Sequence, residues 1–173
     1  MNKIVLGGGC FWCIEAFLQL LNGVISVTPG YSGGTTNNPT YEDVCYGNGN
    51  HAEVVEVVYD PRILSLVTLL EIFWAIHDPT TLNRQGYDVG TAYRSLIYYS
   101  DDTERPTIDK ALSDVQKLWT NKIVTEIKPL DRFYEAESYH KNYFINNPEK
   151  AYCQVIINPK LKSIRSKFPS LMT

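Results

Sequence analysis

The sequence predicts an α+β fold: a two-layer α/β sandwich with a mixed or antiparallel sheet, a ferredoxin-like core and long loops around an active site. Three observations favour this class. Helix-like and strand-like stretches alternate along the chain, several strands are amphipathic, and the connections between them are long and polar. A doubly wound parallel sheet would have strands that are buried on both faces, which this pattern does not predict.

The chain is expected to form one domain. Its 173 residues are enough for one hydrophobic core, and 44% hydrophobic with 20% charged residues is ordinary for a soluble globular protein. A net charge of −3 argues against a nucleic-acid partner. No apolar stretch could span a bilayer, and glycines break the N-terminal apolar run after Leu6. We therefore expect a cytoplasmic protein without a membrane partner, and nothing demands more than a monomer.

Hydrophobic periodicity and turn residues then place the elements in order. The predicted strands are 3–6, 24–27, 51–59, 95–99, 123–127 and an extended segment at 152–157. The predicted helices are 14–21, 64–76 and 103–121, with a helical turn at 41–45, an aromatic-rich segment that becomes helical from Glu137, and a short surface helix after Pro159. Two polar loops, 30–41 and 80–93, are long for a compact domain, and such loops often carry function.

The run Gly-Gly-Gly-Cys-Phe-Trp-Cys at 7–13 connects the first strand to the first helix. Most free cysteines are small buried core residues. Cys10, however, follows a glycine turn at a helix start, where the unpaired N–H groups and the helix dipole favour a thiolate. This position favours a nucleophile. Trp12 lies off the apolar stripe of the helix, so it is predicted either to contact a ligand or to pack against a loop.

The other cysteines leave alternatives open. Cys13 completes a Cys-x-x-Cys pair, which suits a thiol–disulfide oxidoreductase that uses Cys10 and Cys13, although Cys13 could also be a core residue. A zinc-binding or interaction module would need a second ligand pair, and Cys45 with His51 has no common zinc spacing, so no metal is expected. Cys153 is either a core residue or a second redox thiol that the fold brings near Cys10.

Two further segments could contribute polar groups to a site. Glu53 lies in a valine-rich strand, where it faces either solvent or the interior; an interior carboxyl would have a raised pKa and could donate a proton near neutral pH. Asp88 and Tyr93 lie in the loop 80–93, which is either the wall of a site or an ordinary polar loop.

Motifs along nearly the whole chain, in the same order, resemble those of the A-type peptide methionine sulfoxide reductases. They are Gly9-Cys10-Phe11-Trp12, Gly30-Tyr31-Ser32-Gly33-Gly34, Asn38-Pro39-Thr40-Tyr41 with Val44-Cys45, Gly49-Asn50-His51-Ala52-Glu53, Phe73-Trp74 with His77-Asp78-Pro79-Thr80, Arg84-Gln85-Gly86 with Asp88 and Gly90-Thr91, Tyr93-Arg94-Ser95, and Tyr152-Cys153. Any one of these motifs is weak evidence, but the ordered set is specific.

The resemblance implies an oxidoreductase that repairs oxidative damage by reducing the S epimer of methionine sulfoxide in proteins and peptides, with the free amino acid as a further candidate substrate. It implies that Cys10 attacks the sulfoxide sulfur and that Glu53 supplies a proton to the oxygen. Tyr41 and Tyr93 would donate hydrogen bonds to that oxygen, and Asp88 matches a further polar position of the family site. No cofactor is implied.

The resemblance also implies which residues hold the substrate and which second cysteine reacts after Cys10. Phe11 and Trp12 would hold the S-methyl group of the substrate. The Cys10 sulfenic acid would condense with Cys153, which matches the family's late cysteine, and thioredoxin would reduce the disulfide. The chain departs from the common motif at Cys13, where glycine is usual, so Cys13 is the alternative resolving cysteine. It also has no further cysteine after Cys153.

Overall fold

A six-stranded mixed sheet is packed against helices in the computed structural model, which describes residues 1–172. The strands are β1 (Asn2–Gly7), β2 (Val24–Ser32), β3 (Ala52–Tyr59), β4 (Arg84–Gln85), β5 (Asp88–Val89), β6 (Leu96–Tyr99), β7 (Glu126–Pro129) and β8 (Phe133–Glu135). The helices are α1 (Phe11–Leu18), α2 (Tyr41–Cys45), α3 (Leu66–Ala75), α4 (Arg105–Gln116), α5 (Tyr143–Asn146) and α6 (Asn158–Lys167).

The sheet has the order β7-β6-β1-β3-β2-β8, while β4 and β5 form a separate hairpin. Neighbouring strands are antiparallel except β6 and β7, which are parallel. This arrangement confirms the predicted α+β class with a mixed sheet. The ferredoxin-like detail stays a prediction.

The two faces of the sheet bury side chains of different elements, because successive residues of a strand point to opposite faces. In β1, Ile4 and Leu6 pack into the main core with α1, α3 and α4, whereas Val5 packs into a smaller cluster on the other face. Phe133 covers part of that second cluster. The helices and the main core therefore lie on one side of the sheet. The helix α1 follows β1 directly in the chain.

The helices α2 and α3 begin directly after polar side chains that satisfy their first N–H groups. The Thr40 hydroxyl accepts a hydrogen bond from Asp43 N (3.2 Å), and the Asp43 carboxylate accepts one from Thr40 N (3.0 Å), which forms a capping box for α2. Ser65 caps α3 in the same way through Thr68 N. The helix α1 begins at Phe11, three residues before its predicted start, so Cys10 is its N-cap residue.

The predicted extended segment at 152–157 is wrong. A π-helical turn, Cys153–Ile157, runs directly into α6. Its β-branched run resembles a strand, but Cys153, Ile157 and Leu161 are buried at four-residue spacing, which is the period of a helix. Other boundaries also differ: β2 continues through Pro29 and Gly30 to Ser32, β7 begins only at Glu126, and residues 133–135 are a strand.

None of the helices within residues 1–172 has the length and apolar character needed to cross a membrane.

Candidate active site

Cys10 lies at the turn between β1 and α1. Gly9, which precedes it, has φ +93°, and a Cβ there would lie 2.7 Å from Gln85 Cγ. Glycine is therefore required both for the backbone conformation and for the close approach of the hairpin. The Cys10 side chain is 9% exposed, and its carbonyl oxygen accepts a hydrogen bond from Cys13 N (3.1 Å). The thiol is thus held at the helix start with little access to water.

Gln85 fastens the β4–β5 hairpin beside this turn. Its side-chain oxygen accepts a hydrogen bond from Asp78 N (3.0 Å), and its amide nitrogen donates one to Asp78 O (2.9 Å). The loop 80–93 is therefore an ordered wall that carries Asp88 to the site. No role was predicted for Gln85 from the sequence, where it is only part of a motif.

Glu53 faces the interior, which decides the alternative that the sequence left open. It lies in β3, is 1% exposed, and accepts a hydrogen bond at Oε1 from Phe11 N (3.1 Å). Its Oε2 is buried and has no hydrogen-bond partner among the described residues. Burial raises the pKa of Glu53 to about 8, so the carboxyl is largely protonated at neutral pH and can donate its proton.

Tyr41 and Tyr93 are half-buried beside the same carboxyl. Burial and, second, the charge of an ionised Glu53 raise the pKa of both phenols. Their hydroxyl groups therefore stay protonated and remain hydrogen-bond donors. The start of α2 is held by Glu137, whose Oε2 accepts a hydrogen bond from Tyr41 N (3.0 Å) and whose Oε1 accepts one from Tyr31 Oη (2.8 Å). We call Glu53, Tyr41 and Tyr93 the acid cluster.

Trp12 is half-buried in an aromatic wall beside the acid cluster. Its ring stacks on Tyr143 at a centroid distance of 3.8 Å and an interplanar angle of 7°, and meets Tyr152 edge-on at 5.8 Å. Its indole N–H donates a hydrogen bond to His140 Nδ1 (3.0 Å). Phe11 also contacts His140 (centroids 5.0 Å). Aromatic faces of this kind suit a small apolar group.

His140, Tyr143 and Tyr152 were not predicted as site residues from the sequence. The aromatic-rich stretch 133–144 could have indicated His140 and Tyr143, and the motif Tyr152-Cys153 could have indicated Tyr152. Glu15 explains how this distant stretch is held in place: it is fully buried, and its Oε2 accepts a hydrogen bond from Asn142 N (2.9 Å). Asn142 has φ +55°, and this turn brings Tyr143 onto Trp12.

The thiols of Cys10 and Cys13 influence each other, and their pKa values move in opposite directions. Burial and, second, the hydrogen bond with Cys13 raise the pKa of Cys10 well above its ordinary value. The hydrogen bond with Cys10 lowers the pKa of Cys13. The expectation from the sequence, a thiolate stabilised at Cys10, is thus wrong for the free protein, because burial outweighs the backbone N–H groups.

A cavity of about 220 Å³ opens onto both sulfurs. Residues of α1, the β4–β5 hairpin and the C-terminal helical segment, by which we mean residues 151–167, line it. They include Cys10, Cys13, Ile14, Ile76, Gln85, Tyr87, Asp88, Tyr152, Ile156 and Lys160. Tyr152 Oη lies 3.4 Å from Cys13 Sγ and 3.4 Å from Asp88 Oδ2. Burial raises the pKa of Asp88. We call Cys13, Tyr152, Asp88 and Lys160 the thiol cluster.

The two remaining cysteines do not line this cavity, although Cys45 influences the pKa of Tyr41 and Tyr93. Cys153 is fully buried in the core, and burial and the charge of Cys13 raise its pKa. Cys45 is exposed at the end of α2. Within residues 1–172, no group of three or more His, Cys, Asp or Glu side chains is placed to hold a metal ion.

Comparison with known proteins gives a consistent result. The family model for peptide methionine sulfoxide reductase matches residues 2–171. Peptide methionine sulfoxide reductase MsrA of Chromobacterium violaceum is 48% identical over 174 residues, which cover 99% of each chain.

Solved structures show the same likeness. Mxr1 from Saccharomyces cerevisiae in its reduced form has a TM-score of 0.83 and 38% identity, with 88% of each chain covered. Mxr1 in complex with Trx2 has a TM-score of 0.59 and 28% identity, with 82% of this chain and 84% of that chain covered. The chain thus belongs to the peptide methionine sulfoxide reductase family.

Proposed function

We propose that this protein reduces the S epimer of methionine sulfoxide, in oxidised proteins and peptides and as the free amino acid, with Cys10 as nucleophile. The observation that carries the proposal is the buried, protonated Glu53 carboxyl, whose free Oε2 faces no other partner among the described residues. The proposal treats the chain as one domain that acts in the cytoplasm.

The acid cluster supplies what a sulfoxide needs. The sulfoxide sulfur becomes electrophilic when its oxygen accepts a proton or strong hydrogen bonds. The Glu53 carboxyl would provide the proton, while the hydroxyl groups of Tyr41 and Tyr93 would donate hydrogen bonds. One such donor in a dry site can contribute roughly 2.7–4 kcal/mol to a transition state. Phe11 and Trp12 would seat the S-methyl group, and Asp88 would add a polar contact.

The first step balances without an external proton. Cys10 Sγ attacks the sulfoxide sulfur; the oxygen then bonds to Cys10 Sγ, while the transient bond between the two sulfurs and the sulfur–oxygen bond of the substrate both break. The Cys10 sulfur is thereby oxidised by two electrons and the substrate sulfur is reduced by two. Methionine leaves and Cys10 becomes a sulfenic acid. The proton that Glu53 gives to the oxygen is balanced by the proton that the Cys10 thiol loses. A thiol that is protonated in the free protein therefore fits this step.

Cys13 would resolve the sulfenic acid: it lines the same cavity as Cys10, and its pKa is lowered, which supports this role. Its attack forms the Cys10–Cys13 disulfide and releases water. Cys153, the candidate from the family resemblance, would need the helical segment that holds it to move, since its thiol is fully buried. The complex of Mxr1 with Trx2 supports thioredoxin as the reductant of the final disulfide.

The proposal is tested with the two sulfur epimers of a methionine sulfoxide peptide and dithiothreitol as reductant. Methionine should form from the S epimer only. Equal reduction of both epimers, or reduction of neither, contradicts the proposal.

A second candidate function is thiol–disulfide exchange on other proteins through Cys10 and Cys13, which the position of both cysteines in the wall of one cavity favours. This reaction needs no acid at Glu53. If it is the true function, a Glu53→Gln protein reduces a protein disulfide such as that of insulin at the wild-type rate, and wild type forms no methionine from either epimer.

A further inference from the structure

The C-terminal helical segment presents two different faces to the site. Tyr152, Ile156 and Lys160 recur every four residues and line the cavity that opens onto Cys13. Cys153, Ile157 and Leu161, one position further along, are buried in the core. The same spacing therefore places a phenol, an apolar residue and an exposed lysine along the cavity that Cys10 and Cys13 also line.

Lys160 is the one cation among the described residues that line this cavity. The other titratable groups that influence Cys13 or are influenced by it carry a negative charge when they are ionised: Cys10, Glu53, Asp88, Tyr152 and Cys153. A Cys13 thiolate is therefore surrounded by groups that repel it unless they are protonated, and Lys160 supplies the opposing charge.

The shift in the pKa of Cys13 agrees with the position of Lys160 in the cavity wall. The hydrogen bond with Cys10 is the largest influence that lowers the pKa of Cys13; burial opposes it, and Tyr152 and Lys160 add to the lowering. Lys160 also lowers the pKa of Asp88. Its ammonium group thus acts on two members of the thiol cluster at once.

We propose that Lys160 is a positioning residue for the resolving step: its ammonium charge stabilises the anionic Cys13 sulfur while that sulfur attacks the Cys10 sulfenic acid. In this step the Cys13–Cys10 disulfide bond forms, the sulfur–oxygen bond of the sulfenic acid breaks, and the oxygen leaves as hydroxide that takes a proton to give water. The inference rests on the proposed function and on Cys13 as the resolving cysteine.

The test follows the second step alone. Protein is mixed with one equivalent of the S epimer, quenched with acid at successive times, and assayed separately for methionine and for the Cys10–Cys13 disulfide. Variants are Lys160→Met, Lys160→Arg and, as matched control, Lys162→Met, which removes an exposed lysine two residues further along α6. In Lys160→Met, disulfide formation should slow by about two- to fivefold at neutral pH, as expected for loss of one partly solvated charge.

Three further readouts separate an electrostatic role from a structural one. The pH profile of disulfide formation in Lys160→Met should move to higher pH, because the thiolate has lost a stabilising charge. Added salt should slow wild type and leave Lys160→Met nearly unchanged. Lys160→Arg should restore the wild-type rate, and Lys162→Met should keep it. Methionine release should be the same in every variant.

Each negative result identifies which of the premises is wrong. If Lys160→Met forms the disulfide at the wild-type rate, with the wild-type pH profile, Lys160 has no such role while the proposed function stands. If Cys13→Ser still closes a disulfide at the wild-type rate, the premise that Cys13 resolves is wrong and the inference is overturned with it. If wild type releases no methionine, the proposed function itself fails.

Discussion

Cys10 is flanked by two clusters that differ in what they hold. The acid cluster consists of oxygen acids from β3, the start of α2 and the end of the loop 80–93, and burial keeps these groups protonated. The thiol cluster gathers a second sulfur, a carboxylate, a phenol and an ammonium group around a cavity of about 220 Å³. One cluster is suited to give a proton to an oxygen, and the other to accommodate a thiolate.

The difference teaches that one cysteine can serve two reactions with opposite electrostatic needs. Reducing the sulfoxide needs a neutral acid next to Cys10, while resolving the sulfenic acid needs an anionic sulfur. Burial of Glu53 behind the N-terminus of α1 meets the first need. The C-terminal helical segment meets the second need through the side chains that it contributes to the cavity. If this division is real, variants in each cluster should slow only one step.

The largest effect is expected for Glu53→Gln. Glutamine keeps the shape and can still accept the hydrogen bond from Phe11 N, but it cannot donate an acidic proton. Methionine release in a single turnover should fall by about a thousandfold, within the range of general acid catalysis. Alkylation of Cys10 by iodoacetamide should continue. Glu56→Gln, on the same strand but part-exposed and paired with Lys3, is the control and should be unaffected.

The same carboxyl should make stability depend on pH. The pKa of Glu53 is about 8 in the folded protein against an ordinary 4.5, so between these values the folded chain holds a proton that the unfolded chain has lost. Stability should therefore fall as pH rises through this window, by at most about 1.4 kcal/mol per pH unit for this group. Urea unfolding at about pH 5 and about pH 8 should show a smaller fall in Glu53→Gln than in wild type. An equal fall in both proteins would mean that Glu53 titrates normally.

Cys13→Ser should slow the second step and spare the first. One methionine per protein should still be released, but turnover with thioredoxin should fall by at least about tenfold, because the nearest thiol to the sulfenic acid is gone. Cys153→Ser is the paired variant. If turnover is lost in Cys153→Ser and kept in Cys13→Ser, the late cysteine resolves, as the family resemblance implies, and the C-terminal helical segment must move during the cycle.

The smallest effect is expected for Gln85→Ala, and it should reach both steps. Gln85 packs on Gly9 at the turn before Cys10 and also lines the cavity of the thiol cluster. Losing its two hydrogen bonds to Asp78 should loosen the hairpin and slow methionine release and disulfide formation alike, by about threefold to tenfold. A change in one step only would show that the hairpin belongs to one cluster.

Much of this site could be predicted from sequence because its residues lie in local motifs. The glycine turn, Cys10 and the apolar period of α1 are adjacent in the chain, so Cys10 could be predicted as a candidate nucleophile from the local sequence. The direction of Glu53 did not, since an acidic residue in a strand can face either side and only the packing of β3 decides.

Features of the site that depend on contacts between distant segments of the chain were harder to predict from the sequence. His140 and Tyr143 reach Trp12 only because buried Glu15 holds the turn at Asn142, a contact between residues 127 positions apart. The raised pKa of Cys10 was also beyond local reasoning, because the helix start predicts the opposite direction and the burial that overrides it is a property of the whole fold. The extended assignment of 152–157 failed because β-branched residues there pack as a helix.

The most direct test of the central claim follows the oxygen atom. A Cys13→Ser, Cys153→Ser double variant is given one equivalent of the S epimer, whose sulfoxide carries an isotopically labelled oxygen. The masses of the intact protein and of its peptides are then measured by mass spectrometry. The account predicts one methionine released per protein and the labelled oxygen on Cys10, as a sulfenic acid in the untreated sample. In a parallel sample dimedone should form an adduct on the same cysteine and displace the labelled oxygen as water. Methionine released without label on Cys10, or label on another cysteine, would contradict it.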